Sequence, residues 1–299
     1  MMQTSNSEAA ARSVLGAASR RAGLDPAGAE LVRLSENALF RLPGGIIARV
    51  ARAGQAAAAL REVAVARWLE ANDVPAVKVW PGVDQPIEVD GRAVTWWREL
   101  PAHRHGTALQ VATALRRLHD LRPPTAFDIG RLDPFVRLAE RIARAAMLDE
   151  AARAWMRGHL AELQARYAEL PPGLPESVVH GDAWIGNVVS TDDGQVVLLD
   201  LERCSIGPPE WDLTSTAVKA FSIAGITAED YGTFVKAYGN DVTAWAGFET
   251  LRDIREFRMT CMAAQVAAEN PARRDEMELR LACLRGQRGP RPWRWTPVP

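Results

Sequence analysis

Between Val178 and Leu201 the chain reads VVHGDAWIGNVVSTDDGQVVLLDL, a stretch that leaves few choices of local structure. Val178-Val179 and Val196-Val197-Leu198-Leu199 are short β-branched and aliphatic runs bounded by turn residues, the signature of buried strands. Thr191-Asp192-Asp193-Gly194 is a turn sequence, so Val188-Val189-Ser190 folds back on the later run as a hairpin. Three polar residues in this stretch are not called for by packing. Asp182 precedes the hairpin, Asn187 opens it and Asp200 closes it. Because a hairpin brings its ends together, the spacing predicts that the three groups converge.

Asn187 and Asp200 are hard oxygen donors of the kind that suits Mg²⁺, which keeps waters and completes its shell with phosphates. Asp182, five residues before the amide, is then placed to accept the proton of an attacking hydroxyl. These are the parts phosphoryl transfer needs, since its catalysis is mostly positioning and charge neutralisation. Asp-x-x-x-x-Asn has the spacing of a kinase catalytic loop, with His180-Gly181-Asp182 in place of His-Arg-Asp.

The string HGDAWIGN, followed by LLDLE and GPPEWDL, resembles the aminoglycoside phosphotransferase and choline kinase family of kinase-like enzymes. The resemblance implies an α+β, bilobal protein-kinase-like fold. A small β-rich lobe over 1–101 would bind nucleotide and end in a hinge, and a mainly helical lobe over 102–299 would carry catalysis and the acceptor. It also implies that Asp182 is the base, that Asn187 and Asp200 hold metal, and that Asp212 braces the catalytic loop. His180 supports that loop. Ile185 stands where many members have Pro. Glu202 would hold either a second cation or, by a hydrogen bond, the metal's other ligands.

The length of 299 residues allows a large core or two lobes. A formal net charge of −1, with both signs mixed along the chain, gives no reason to expect a nucleic-acid or membrane-surface partner. Cys204, Cys261 and Cys283 are too few and too scattered for a disulfide framework or a zinc site, and read as buried free thiols. The N-terminal residues lack a basic region followed by an apolar run, and no segment approaches bilayer-spanning length. The expected location is the cytoplasm, with no obligate protein partner.

An Ala-rich helix is expected over Ser7–Ala22, then strands around 31–34, 39–42 and 46–50, the last two joined at Pro43-Gly44-Gly45. Ser35-Glu36-Asn37 lies where kinase-like folds place the loop over the phosphates, without the glycines. Arg49 lies where the third strand would carry a cation for the α- and β-phosphates, an alternative being an outward strand arginine like Arg41 or Arg52. In the resembling family a glutamate of the next helix, here Glu62 within 55–71, pairs with that cation. The strand 93–97 follows the Asp90-Gly91 turn and runs into a hinge at Arg98-Glu99-Leu100, whose backbone would meet a purine. Trp96 and Trp97 belong either to the core or to the base pocket. Further helices are expected over 107–121, 134–147, 149–170, 210–220, 242–268 and 272–284. His119 reads as packed or capping, and the tail tryptophans Trp293 and Trp295 read as anchors. Glu249, Asp253, Glu256 and Glu269 read either as a solvated face or as an attraction for a cationic acceptor.

The function these features predict is Mg²⁺-dependent transfer of the γ-phosphate of ATP or GTP to a small-molecule hydroxyl. An antibiotic of the aminoglycoside or cationic-peptide type is the first expectation for the acceptor, with resistance as its consequence. Choline, an amino alcohol or a sugar is the alternative, as is a pseudokinase that binds nucleotide without turnover.

Overall fold

The computed structural model describes residues 8–35 and 37–297. Ser7 of the first expected helix and Glu36 of the expected phosphate loop lie outside these. In chain order the elements are α1 (Glu8–Arg21), β1 (Glu30–Leu34), β2 (Ala38–Leu42), β3 (Ile46–Ala53), α2 (Ala56–Ala71), β4 (Ile87–Val89), β5 (Arg92–Arg98), β6 (His103–His105), α3 (Ala108–His119), α4 (Leu138–Arg144), α5 (Glu150–Ala168), β7 (Ser177–Val179), β8 (Val188–Thr191), β9 (Val196–Leu198), β10 (Ser205–Gly207), α6 (Glu210–Phe221), α7 (Ala228–Tyr238), α8 (Phe248–Glu269) and α9 (Arg274–Leu284).

Backbone contacts divide the chain into two units. One takes Met1–Gly106, Asp120–Gly130 and Ile185–Cys204, and the other takes Thr107–His119, Arg131–Trp184 and Ser205–Pro299. The sequence reading assigned all of 102–299 to the helical part. Residues 185–204 group instead with the sheet unit, because β8 pairs with both β6 and β9 and Leu198 exchanges backbone hydrogen bonds with Pro75 and Val77.

The first unit is built on an antiparallel sheet of order β1-β2-β3-β5-β4. Its tight connections need positive φ: Gly44 and Gly45 at +86° and +77°, and Asp90-Gly91 at +51° and +71°. The latter pair is the favoured dipeptide for a two-residue hairpin. Alternation along β3 turns Ile46, Ala48 and Val50 into a core with Phe40, Val94, Trp96 and α1 residues Val14 and Leu15. Arg49 therefore projects from the opposite face, toward α2.

The second unit is mainly helical. Trp211, Leu251, Ile254, Phe257, Met156 and Leu163 form its principal core. Two expected helices differ from the sequence reading. The one expected from Pro134 begins only at Leu138, after Arg137 in a left-handed conformation. The one expected from Val242 is interrupted after a 3₁₀ turn over Val242–Ala244 and resumes at Phe248. The tail is anchored: Trp293 and Trp295 are buried and stacked 5.2 Å apart, packed with Cys283. All three cysteines are buried free thiols. Among the described residues no helix is long and apolar enough to cross a membrane.

Candidate active site

In the first unit the site is organised by Arg49. Its Nη1 donates to both oxygens of Glu62 at 2.7 Å, and its Nη2 donates to Glu202 Oε2 at 2.7 Å. With the Asn37 amide turned oxygen-inward, that oxygen accepts from Nε at 3.0 Å and Nη2 at 2.7 Å. A guanidinium has five N–H donors, and all five are thereby committed. Arg41 serves elsewhere, pairing with Glu30 and Glu99, so the two strand arginines are not equivalent. Burial lowers the Arg49 pKa, but Glu62, Glu202 and Asp200 outweigh it and raise the value overall. Burial of Glu62, opposed by Arg49 and reinforced by Asp200 and Glu202, pushes that carboxyl up to about 7.

Asn187 and Asp200 lie at the same open end of the β8–β9 ribbon. The register pairs Val188 with Leu198, and Leu199 N–H donates to the Asn187 carbonyl at 2.8 Å. Asp200 is exposed and holds a left-handed backbone at φ 55°, ψ 64°. That conformation ends the strand before Glu202. It lies on a 3₁₀ turn over Leu201–Arg203 and reaches Arg49. Three carboxylates, Glu62, Asp200 and Glu202, thus act on one guanidinium, a surplus of negative charge that suits a further cation. Among the described residues no three His, Cys, Asp or Glu side chains form a ready-made metal cage. One carboxylate with one amide is the sparse donor set that Mg²⁺ takes beside phosphates.

The second unit carries Asp182 in a loop fixed from beneath by Asp212 in the first turn of α6. Asp212 accepts from the His180 N–H at 2.6 Å and the Gly181 N–H at 2.9 Å. His119 Nε2 donates to the same carboxylate at 3.1 Å, while its Nδ1 meets the Tyr238 hydroxyl at 2.8 Å. Trp211 Nε1 donates to the Gly181 carbonyl at 2.8 Å, and Gly181 turns the chain at φ +83°. Asp212 is fully buried. Burial raises its pKa, but the His119 hydrogen bond and the charges of His119, His180 and Arg255 outweigh that and hold it below the ordinary carboxylate value. His180 is fully buried, and its Nδ1 accepts from the Asp182 N–H at 3.4 Å.

The remaining candidates are more structural. Ser35 N–H donates to the Asn37 carbonyl at 3.0 Å. The Glu99 N–H is taken by the Gly45 carbonyl at 2.8 Å, so a purine contact at this residue would use its carbonyl or Leu100. Trp96 is fully buried within the sheet core, and Trp97 Nε1 donates to Thr95 at 2.9 Å.

Two residues near Asp182, Arg255 and Lys219, were not singled out from the sequence. Arg255 of α8 places Nη1 3.9 Å from Asp182 Oδ1 while its Nε and Nη2 donate to the Trp211 carbonyl at 3.2 and 2.6 Å. Lys219 of α6 lies over the Trp184 ring at 5.4 Å. His119, expected as a packed or capping residue, has a buried side chain that hydrogen-bonds Asp212.

The sequence profile of the Phosphotransferase enzyme family (APH) matches residues 32–254. The chain belongs to this family. Solved structures share the phosphotransferase's fold. Choline kinase LicA from Streptococcus pneumoniae is 16% identical at a TM-score of 0.61, covering 91% of this chain and 99% of its own. A choline/ethanolamine kinase family protein from Mesorhizobium loti is 19% identical at 0.57, covering 91% and 94%. Aminoglycoside phosphotransferase APH(3'')-Id from Streptomyces rimosus is 23% identical at 0.54, covering 82% and 98%. No curated protein sequence matches the phosphotransferase.

Proposed function

We propose that this phosphotransferase moves the γ-phosphoryl group of a purine nucleotide, with Mg²⁺, onto a hydroxyl of a small molecule. The observation that carries this reading is the clamped loop. Asp212 and His119 fix the backbone of His180 and Gly181, and so fix where the next residue, Asp182, presents its carboxylate. In this reading the acceptor oxygen forms the new bond to phosphorus, the bond to the donor's β-phosphate oxygen breaks, and Asp182 takes the hydroxyl proton. Asn187 and Asp200 would hold Mg²⁺, which when bound supplies charge neutralisation at the phosphates. A purine donor is supported by structures of LicA with AMP and of APH(3'')-Id with ADP and streptomycin. With all five donors engaged, Arg49 orders Glu62, Glu202 and Asn37, and contacts phosphate by exchanging one of those partners.

The similar proteins include a choline kinase and an aminoglycoside phosphotransferase, so an antibiotic and a simple amino alcohol both belong to the reading. The cationic preference drew on the C-terminal acids, and three of these are already paired. Glu249 meets Arg252, Asp253 meets Arg166, Arg252 and Arg291, and Glu256 meets Arg291. The test is mass spectrometry of a hydroxyl-compound panel with ATP and Mg²⁺. Asp182→Asn should cut turnover at least about a hundredfold, the scale of a positioned proton acceptor, while ADP still binds. Undiminished turnover in that variant removes Asp182 as the base.

A further inference from the structure

The side chains around Asp182 carry charge of a sign the cationic-acceptor expectation did not anticipate. Residues seven apart on an α-helix lie on one face, about 10 Å apart along the axis. In α6 this relation aligns Asp212, which holds the backbone of the catalytic loop, with Lys219, which lies against Trp184 two residues beyond Asp182. The loop therefore runs along one face of α6, with the proton acceptor between its two supports. Among the described residues, the Lys219 ammonium has no ion pair and donates no hydrogen bond; its one close partner is the Trp184 ring at 5.4 Å. Burial, first, and then Arg280 lower its pKa, with Asp182 opposing. An ammonium half out of water without a hydrogen-bonding partner forgoes solvation that an anion would restore.

Arg255 approaches the same carboxylate from α8. It is 7% exposed, is stacked 4.1 Å over the Trp211 ring, and has spent Nε and Nη2 on the Trp211 carbonyl. Its Nη1 stands 3.9 Å from Asp182 Oδ1 and makes no hydrogen bond among the described residues. Two cations thus serve one carboxylate, whereas the acids of the neighbouring helix face are held by Arg166, Arg252 and Arg291. Trp184, 37% exposed, adds an apolar wall beside Lys219.

We propose that the acceptor is a hydroxy compound bearing a carboxylate, which Lys219 binds beside Trp184 while Arg255 offsets the charge of Asp182. This rests on the reading of Asp182 as proton acceptor given above. The ligand class is a small hydroxy acid or sugar acid; a polycation would meet Lys219 and Arg255 as like charges, which costs affinity.

The test is calorimetric titration of the ADP–Mg²⁺-bound protein with matched probes. D-glycerate, tartrate and gluconate are compared with glycerol, threitol and sorbitol, and with choline and kanamycin. At least one hydroxy acid should bind about tenfold or more tightly than its uncharged counterpart, the scale of one charge-assisted hydrogen bond. Lys219→Met should abolish that preference, with ADP affinity and melting temperature serving as checks on folding. The proposal is overturned if no hydroxy acid binds, if choline or kanamycin binds in preference to all of them, or if the anion preference survives Lys219→Met. It is equally overturned if that variant slows ATP hydrolysis without acceptor and leaves the preference intact, since Lys219 would then serve the phosphoryl group. Anion binding that depends on Lys219 alongside undiminished transfer by Asp182→Asn would leave the anion site standing and remove only the base assignment.

Discussion

At the scale of single residues, Asp212 carries the most consequence per atom. Its two oxygens receive two backbone N–H groups and a histidine while fully buried. Asp212→Asn replaces one accepting oxygen by a donor that faces an N–H, and should cost about 3 kcal/mol, the scale of a broken buried charged network. The pH dependence has a definite sign. The folded-state pKa lies below the ordinary value of 3.8, so the group stabilises the fold fully above the unfolded-state value, and that contribution fades as pH falls through the lower folded one. Urea unfolding of wild type and Asp212→Asn should differ by a constant amount from pH 7 to about pH 5 and converge below about pH 4. A gap that widens on acidification would contradict the assignment. What the sequence made legible here was local. Asn187 and Asp200 stand at a separation that one hairpin explains, and Asp212 opens a helix beneath the loop that carries Asp182. Arg255 and Lys219 reach Asp182 only through helix packing, and no spacing in the chain announces that. Nothing in Asp-Leu-Glu signals that Asp200 turns left-handed and ends the strand, so spacing alone did not announce the pairing of Glu202 with Arg49.

At the scale of elements, strand alternation and the glycine turns were readable because each depends on neighbours in sequence. Helix ends were less so. The interruption before α8 has a packing cause, since the Trp245 indole folds over Gly247 and donates to the Pro172 carbonyl at 2.9 Å. A Cβ at Gly247 would lie 2.2 Å from the indole. Gly247→Ala should therefore destabilise the protein by about 1–3 kcal/mol, as overpacking does. The same change in a Trp245→Ala background should cost much less, and a thermal-melt double-mutant cycle reads the coupling. Equal costs in both backgrounds would show that the indole is not what excludes a side chain there.

At the scale of the whole molecule, the family and the protein-kinase-like class followed from the catalytic stretch, while the partition of the chain did not. The sheet unit recruits 120–130 and 185–204 from far downstream, and strand pairing across that distance leaves no mark in composition. A fragment ending at Gly106 would lack β8 and β9, leaving the 103–105 edge and the carbonyl of Pro75 without their backbone partners. It should show no cooperative urea transition; a sharp one would show that the first sheet suffices alone.

The threading of the chain also bears on recombination. Because the polypeptide passes from one unit to the other at 106/107, 119/120, 130/131, 184/185 and 204/205, a chimera joined once at any of the first four crossovers inherits the ribbon bearing Asn187 and Asp200 from one parent and its β6 edge from the other. Shuffled libraries of this family should accordingly yield working hybrids when exchanges are made at all five junctions together, and seldom when a gene is cut once near its middle.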